Sequence, residues 1–75
     1  MSSEYNGWKN KATWTVALWI QNDEMLYKIA QESDNYENFA NDLMIAGCKS
    51  FEGVMLNDNS LDIDALNELI RELKD

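Results

Sequence analysis

Apolar residues recur along this chain at three- and four-residue intervals, the period of amphipathic helices, and polar clusters separate the runs. From Lys11 to Gln21 the apolar positions are Trp14, Val16, Ala17, Leu18, Trp19 and Ile20. At about 100° per residue they leave only Thr13, Thr15 and Gln21 as polar interruptions. A helix apolar on nearly all sides is expected at the centre of its domain, or against a partner on the side the domain leaves bare. Thr13, Thr15, Val16 and Ile20 are β-branched and favour strand, but the alternation of a half-buried strand is missing. Asn10 is placed to cap this first helix, over 11–21, by accepting a backbone bond from near Thr13.

Asn22 or Gln21 is expected to end it, and Asn22 to cap a second helix over 23–32. Asp23 and Glu24 fall in that helix's first turn, where the macrodipole favours acids. Met25, Leu26, Ile29 and Ala30 form its expected buried stripe, with Tyr27 at the edge. Ser33-Asp34 opens a third helix, over 35–46, with Asp34 and Glu37 as a pair resembling a capping box. Tyr36, Phe39, Ala40, Leu43, Met44 and Gly47 follow at i, i+3, i+4, i+7, i+8 and i+11, and Gly47 is a C-terminal stop. Residues 48–61 read as irregular. Phe51, Val54 and Met55 have helical spacing, yet Gly53 and the run Asn57-Asp58-Asn59-Ser60 favour turn and loop. A fourth helix, over 63–74, opens with Asp62 as N-cap and Leu61 with Leu66 as a hydrophobic staple. Ile63, Leu66, Leu69, Ile70 and Leu73 make its inner stripe, and Arg71 and Lys74 suit the dipole of its last turns. Before the first helix, Tyr5 and Trp8 flank an Asn6-Gly7 turn and are expected to fold back onto the core. The expected fold is all-α, a single domain over 1–75 built as a bundle of about four short helices.

Composition narrows what such a domain does. The chain has 75 residues, a hydrophobic fraction of 45% and three tryptophans, so it is too apolar for an acidic disordered tail. It has one cysteine, Cys48, and no histidine, which excludes an intrachain disulfide and leaves structural zinc without a ligand set. No run reaches the roughly 18–20 apolar residues that cross a bilayer. The apolar stretch Ala12 to Ile20 holds two threonines and two bulky tryptophans, with no small-residue cleavage site, so it reads as helix and not as an export signal. One free cysteine without such a signal points to a reducing cytoplasm.

Net charge is −8 and uneven. Residues 1–30 balance Glu4, Asp23 and Glu24 against Lys9, Lys11 and Lys28, whereas 31–75 set eleven acids against Lys49, Arg71 and Lys74. Phosphate backbones and anionic membranes are attracted by cations, so both are disfavoured as partners. General acid–base work at neutral pH most often uses histidine, and Cys48 has no base to activate it; the expectation is no catalysis and no cofactor. Residues 57–64 resemble a calcium-binding loop in composition only. A start at Asp58 puts Ile63 where glycine is required and Leu69 where the bidentate Glu belongs; a start at Asn57 puts Leu61 at a ligand position. No metal site is expected.

The stretch Tyr5-Asn6-Gly7-Trp8-Lys9-Asn10, then Thr13-Trp14, Val16-Ala17-Leu18-Trp19 and Asn22-Asp23-Glu24, resembles a group of small uncharacterised bacterial and bacteriophage proteins. That group has the pattern N-G-W-x-N-x-x-T-W-x-V-x-L-W, and Leu61-Asp62-Ile63 resembles its last helix start. The chain departs from the pattern at Lys11, Ala12 and Ile63. The resemblance implies a phage or mobile-element setting, hence a host cytoplasm, and no mechanism.

Three roles follow from the residues. The first is a protein-interaction module whose acidic part meets a partner with a basic surface. The second is single-stranded nucleic-acid binding through the N-terminal aromatics, with Lys9, Lys11 and Lys28 as a thin cationic lining. The third is a structural role in which the first helix pairs two copies as a homodimer. The candidate surface is Tyr5, Trp8, Lys9 and Lys11 with Asp58, Asp62, Asp64 and Glu68.

Overall fold

Short polar side chains decide where each helix begins. The computed structural model describes residues 7–74. Among these, four helices are formed: α1 (Lys11–Asn22), α2 (Glu24–Glu32), α3 (Tyr36–Ile45) and α4 (Ile63–Leu73). A two-stranded antiparallel hairpin, β1 (Ser50–Phe51) and β2 (Val54–Met55), lies between α3 and α4. Asn10 and Asp62 cap α1 and α4 as expected, accepting from the backbone N–H of Thr13 at 2.8 Å and of Ala65 at 3.2 Å.

The middle two caps sit one residue later than expected. Asn22 stays inside α1, its side chain donating to the Leu18 carbonyl at 3.0 Å. Asp23 is the extended residue instead, and its carboxylate accepts from Met25 and Leu26 at 2.9 and 3.1 Å. Its own N–H closes α1 on the Trp19 carbonyl, so one residue ends the first helix and starts the second. Asn35, not Asp34, caps α3 by accepting from Asn38 at 2.9 Å. The start moves because Tyr36 must enter the core in the first turn, where Asn67 Oδ1 accepts from its N–H at 2.7 Å. Gly47 ends α3 at φ +100°. Its N–H reaches the Met44 carbonyl and that of Cys48 reaches Leu43, a Schellman closure.

The hairpin corrects the all-α expectation and the irregular reading of 48–61: the fold is mainly helical with a small sheet. Glu52 and Gly53 both take left-handed φ, 50° and 85°, the pattern of the two-residue turn that suits twisted strands. Ser50 pairs with Met55 and Phe51 with Val54. Phe51 is buried and stacks on Trp19, ring centroids 5.5 Å apart. The helical spacing of Phe51, Val54 and Met55 was therefore coincidental.

The core draws on every helix and on the hairpin. Val16, Ala17 and Ile20 of α1, Leu26 and Ala30 of α2, Tyr36, Phe39, Ala40 and Leu43 of α3, and Leu66, Leu69 and Ile70 of α4 form one buried cluster. Leu61 and Leu66, the expected staple, are both buried there. Ile20 and Leu66 are fully buried, and truncating either to Ala removes about 2–5 kcal/mol. That is comparable to the whole stability of a domain this small.

Three apolar positions leave the stripes assigned to them. Leu18 is 40% exposed and α1 buries Thr13 and Thr15 instead, so α1 has one inward face and is not used on all sides. Met25 is 71% exposed, because Leu26 and Ala30 set the inward face of α2 and Met25 lies about 100° away. Ile63, at the first position of α4, is exposed ahead of the inner face that begins at Leu66. Among the described residues no helix is long and apolar enough to cross a membrane.

Candidate interaction surface

Gly7, at φ +89°, turns the chain so that Trp8 lies half-buried against the core. Gln21 at the end of α1 and Ala65, Glu68, Leu69 and Glu72 of α4 complete a groove of about 320 Å³ beside it. Leu69 is the buried floor, and the small side chain of Ala65 leaves room next to the indole. Glu68 and Glu72 are exposed and four residues apart, so they stand one above the other on the rim. Asp62, Asp64, Ala65, Asn67, Glu68 and Arg71 line an adjoining depression of about 520 Å³. Ala65 and Glu68 belong to both hollows, so the surface is continuous from Asp62 to Glu72.

Of the residues singled out from sequence, Trp8, Asp62, Asp64 and Glu68 meet on this surface. Lys9 and Lys11 are exposed at the start of α1 and line neither hollow. Asp58 lies elsewhere, in a cleft beside α3. Its carboxylate accepts from the Ser60 backbone N–H at 2.8 Å and from the Ser60 hydroxyl at 2.7 Å, and these bonds hold it below the usual carboxylate range. Tyr5 is outside the described residues. Sequence reasoning missed Gln21 and Glu72; the spacing of Glu72, one turn beyond Glu68, was the available signal.

An indole with two carboxylates on its rim is suited to a cation. The ring face attracts ammonium or guanidinium, and the carboxylates accept its hydrogen bonds. Among the described residues no group of three or more His, Cys, Asp or Glu side chains is placed to hold a metal ion. Cys48 is half-buried at the edge of the core, with its sulfur 4.0 Å from the Ser50 carbonyl oxygen.

No curated protein and no solved structure matches the chain. A family model does, over residues 1–75, and the chain belongs to that family, a family of unknown function (DUF7249).

Proposed function

We propose that this domain is a protein-interaction module that takes a basic segment of a partner protein along α4, with a cationic side chain seated over Trp8. The observation that carries the reading is the groove in which the Trp8 ring and the Glu68 and Glu72 carboxylates meet. A net charge of −8 supports it, because long-range attraction speeds encounter with a basic partner. The same charge opposes phosphate backbones, and it opposes a second copy, whose acids would face these acids. A phage or mobile-element setting, which the resemblance of the N-terminal segment to small bacterial and bacteriophage proteins implies, would make the partner a host protein met in the host cytoplasm.

The test is fluorescence anisotropy of a labelled (Arg-Gly)5 peptide titrated with the full chain. Glu68→Gln/Glu72→Gln and, separately, Trp8→Leu are each expected to weaken binding at least about fivefold, the scale of one lost cation–π or charged contact. Glu32→Gln/Asp42→Asn removes the same charge at exposed positions elsewhere and is the control. If the control weakens binding as much as the groove variants do, net charge alone accounts for it and the reading fails.

A further inference from the structure

A second cleft, of about 580 Å³, runs between α3 and the segment 56–63, and it shares no lining residue with the Trp8 groove. Its floor is apolar: Tyr36, Ala40, Leu56 and Leu61 are buried, Met44 is half-buried, and Ile63 is exposed at the edge. Its walls are amides. Asn38 and Asn41 stand one turn apart on α3, and Asn57 and Asn59 face the cleft from the loop. Asn10, Asn22, Asn35 and Asn67 each use their side chains to cap or tie the fold. The other described asparagines are the cleft residues, and their side-chain amides have no partner among the described residues. Asn41, exposed in the interior of α3, is a poorer helix former than alanine, so its amide does nothing for the helix.

The walls are also fixed in place. The Tyr36 hydroxyl donates to the Leu56 carbonyl at 2.7 Å, tying α3 to the loop. Asp58 holds Ser60, Ser60 accepts from Asn10 at 2.7 Å, and the Leu61 N–H returns to Asp58. A cleft held in this way pays little ordering entropy when it is filled.

We propose that this cleft binds an extended peptide segment. A side-chain amide offers a donor and an acceptor to a peptide unit, and the apolar floor between Met44 and Ile63 takes an aliphatic side chain. No exposed aromatic ring lines the cleft, since Tyr36 is 2% exposed, so sugar faces and bases have nothing to stack on. Both Ser60 bonds end on Asp58 Oδ1, and Glu37, exposed and without such a bond, stands at the opposite end of α3 from Met44. The occupant therefore carries a basic residue about 10 Å from its aliphatic one, roughly three residues of extended chain.

Random linear heptapeptides displayed on phage, panned against the folded full chain, test this. Enriched sequences are expected to pair an aliphatic residue with a basic one about three positions away. The resynthesised winner is expected to shift the side-chain NH2 resonances of Asn38, Asn41, Asn57 and Asn59. Asn38→Ala/Asn41→Ala/Asn57→Ala, at exposed positions that hold nothing in the fold, is expected to weaken it about tenfold or more. The same variant is expected to bind (Arg-Gly)5 unchanged, which separates this cleft from the Trp8 groove. Enrichment that survives the triple substitution, no enrichment at all, or shifts of those amides by chitohexaose and not by peptide would each overturn the proposal.

Discussion

The Thr13 hydroxyl joins the starts of two helices: it donates to Asn10 Oδ1 at 2.7 Å and accepts from the Asp62 backbone N–H at 3.0 Å. A fully buried polar group thus holds the N-caps of α1 and α4 together. Asn10 adds a second strap by donating to the Ser60 carbonyl at 2.7 Å. The same contacts carry Asp62 to the end of the α4 surface.

Thr13→Val keeps the shape of the side chain and is more apolar, yet it is expected to destabilise. The Asp62 N–H and Asn10 Oδ1 each lose a partner in a partly buried setting, at about 1–3 kcal/mol. Urea unfolding followed by circular dichroism measures this. A variant as stable as the parent would show that the bond is replaced by water and does not organise the fold.

Tyr36 gives a pH dependence. Burial pushes its phenol above the ordinary value of 10.0, because the charged form is desolvated. The folded-state value is raised, so the neutral phenol's contribution is complete below about pH 10 and is lost as pH rises beyond it. Stability is expected to fall through the alkaline range, with a shallower slope in Tyr36→Phe. Below pH 9 that variant is expected to be less stable by about 1–3 kcal/mol, since the Leu56 carbonyl loses its donor. Equal alkaline slopes in the two proteins would contradict the assignment.

Much of this architecture was legible in the sequence where one periodicity acted alone. The stripe from Tyr36 to Met44, the stop at Gly47 and the caps at Asn10 and Asp62 follow from spacing and side-chain chemistry. Thr13 was not legible as more than an interruption, because its partner Asp62 is 49 residues away. The hairpin was hidden because strands of two residues show no alternation, and its turn begins with Glu, a residue that seldom takes positive φ. Half of the α4 surface could be read from acids at helical spacing. The groove itself depends on how Trp8 crosses that helix, and the asparagine cleft on a loop whose path is set by hydrogen bonds to distant residues.

The turn offers a gain in stability. Glu52 is the one non-glycine residue with positive φ among the described residues, and Asn-Gly is the preferred pair for this turn. Glu52→Asn is expected to stabilise by about 0.5–1 kcal/mol, a rise of several degrees in Tm. Gly53→Ala meets no atom within 4 Å but is strained at φ +85°, and it is expected to lose about 1–2 kcal/mol. Scanning calorimetry on both variants checks the pair, and a destabilised Glu52→Asn would mean that the turn does not limit the hairpin.

The α4 surface sets stability against binding. Asp64, Glu68 and Glu72 lie exposed at successive turns, and each like-charge pair four residues apart costs about 0.2–0.5 kcal/mol. Glu72 also sits in the last turn, where the dipole disfavours an acid. Glu72→Lys turns one repulsion into a favourable Glu-to-Lys pair and places a cation at the helix end, for an expected gain of about 0.5–1.5 kcal/mol at low salt. Raising ionic strength to 0.5 M is expected to shrink that gain, because screening acts within a few ångströms there. The same substitution puts a positive charge on the rim of the Trp8 groove and is expected to abolish capture of (Arg-Gly)5. A variant that gains stability and still binds would separate the acids from recognition and leave them as surface charge only.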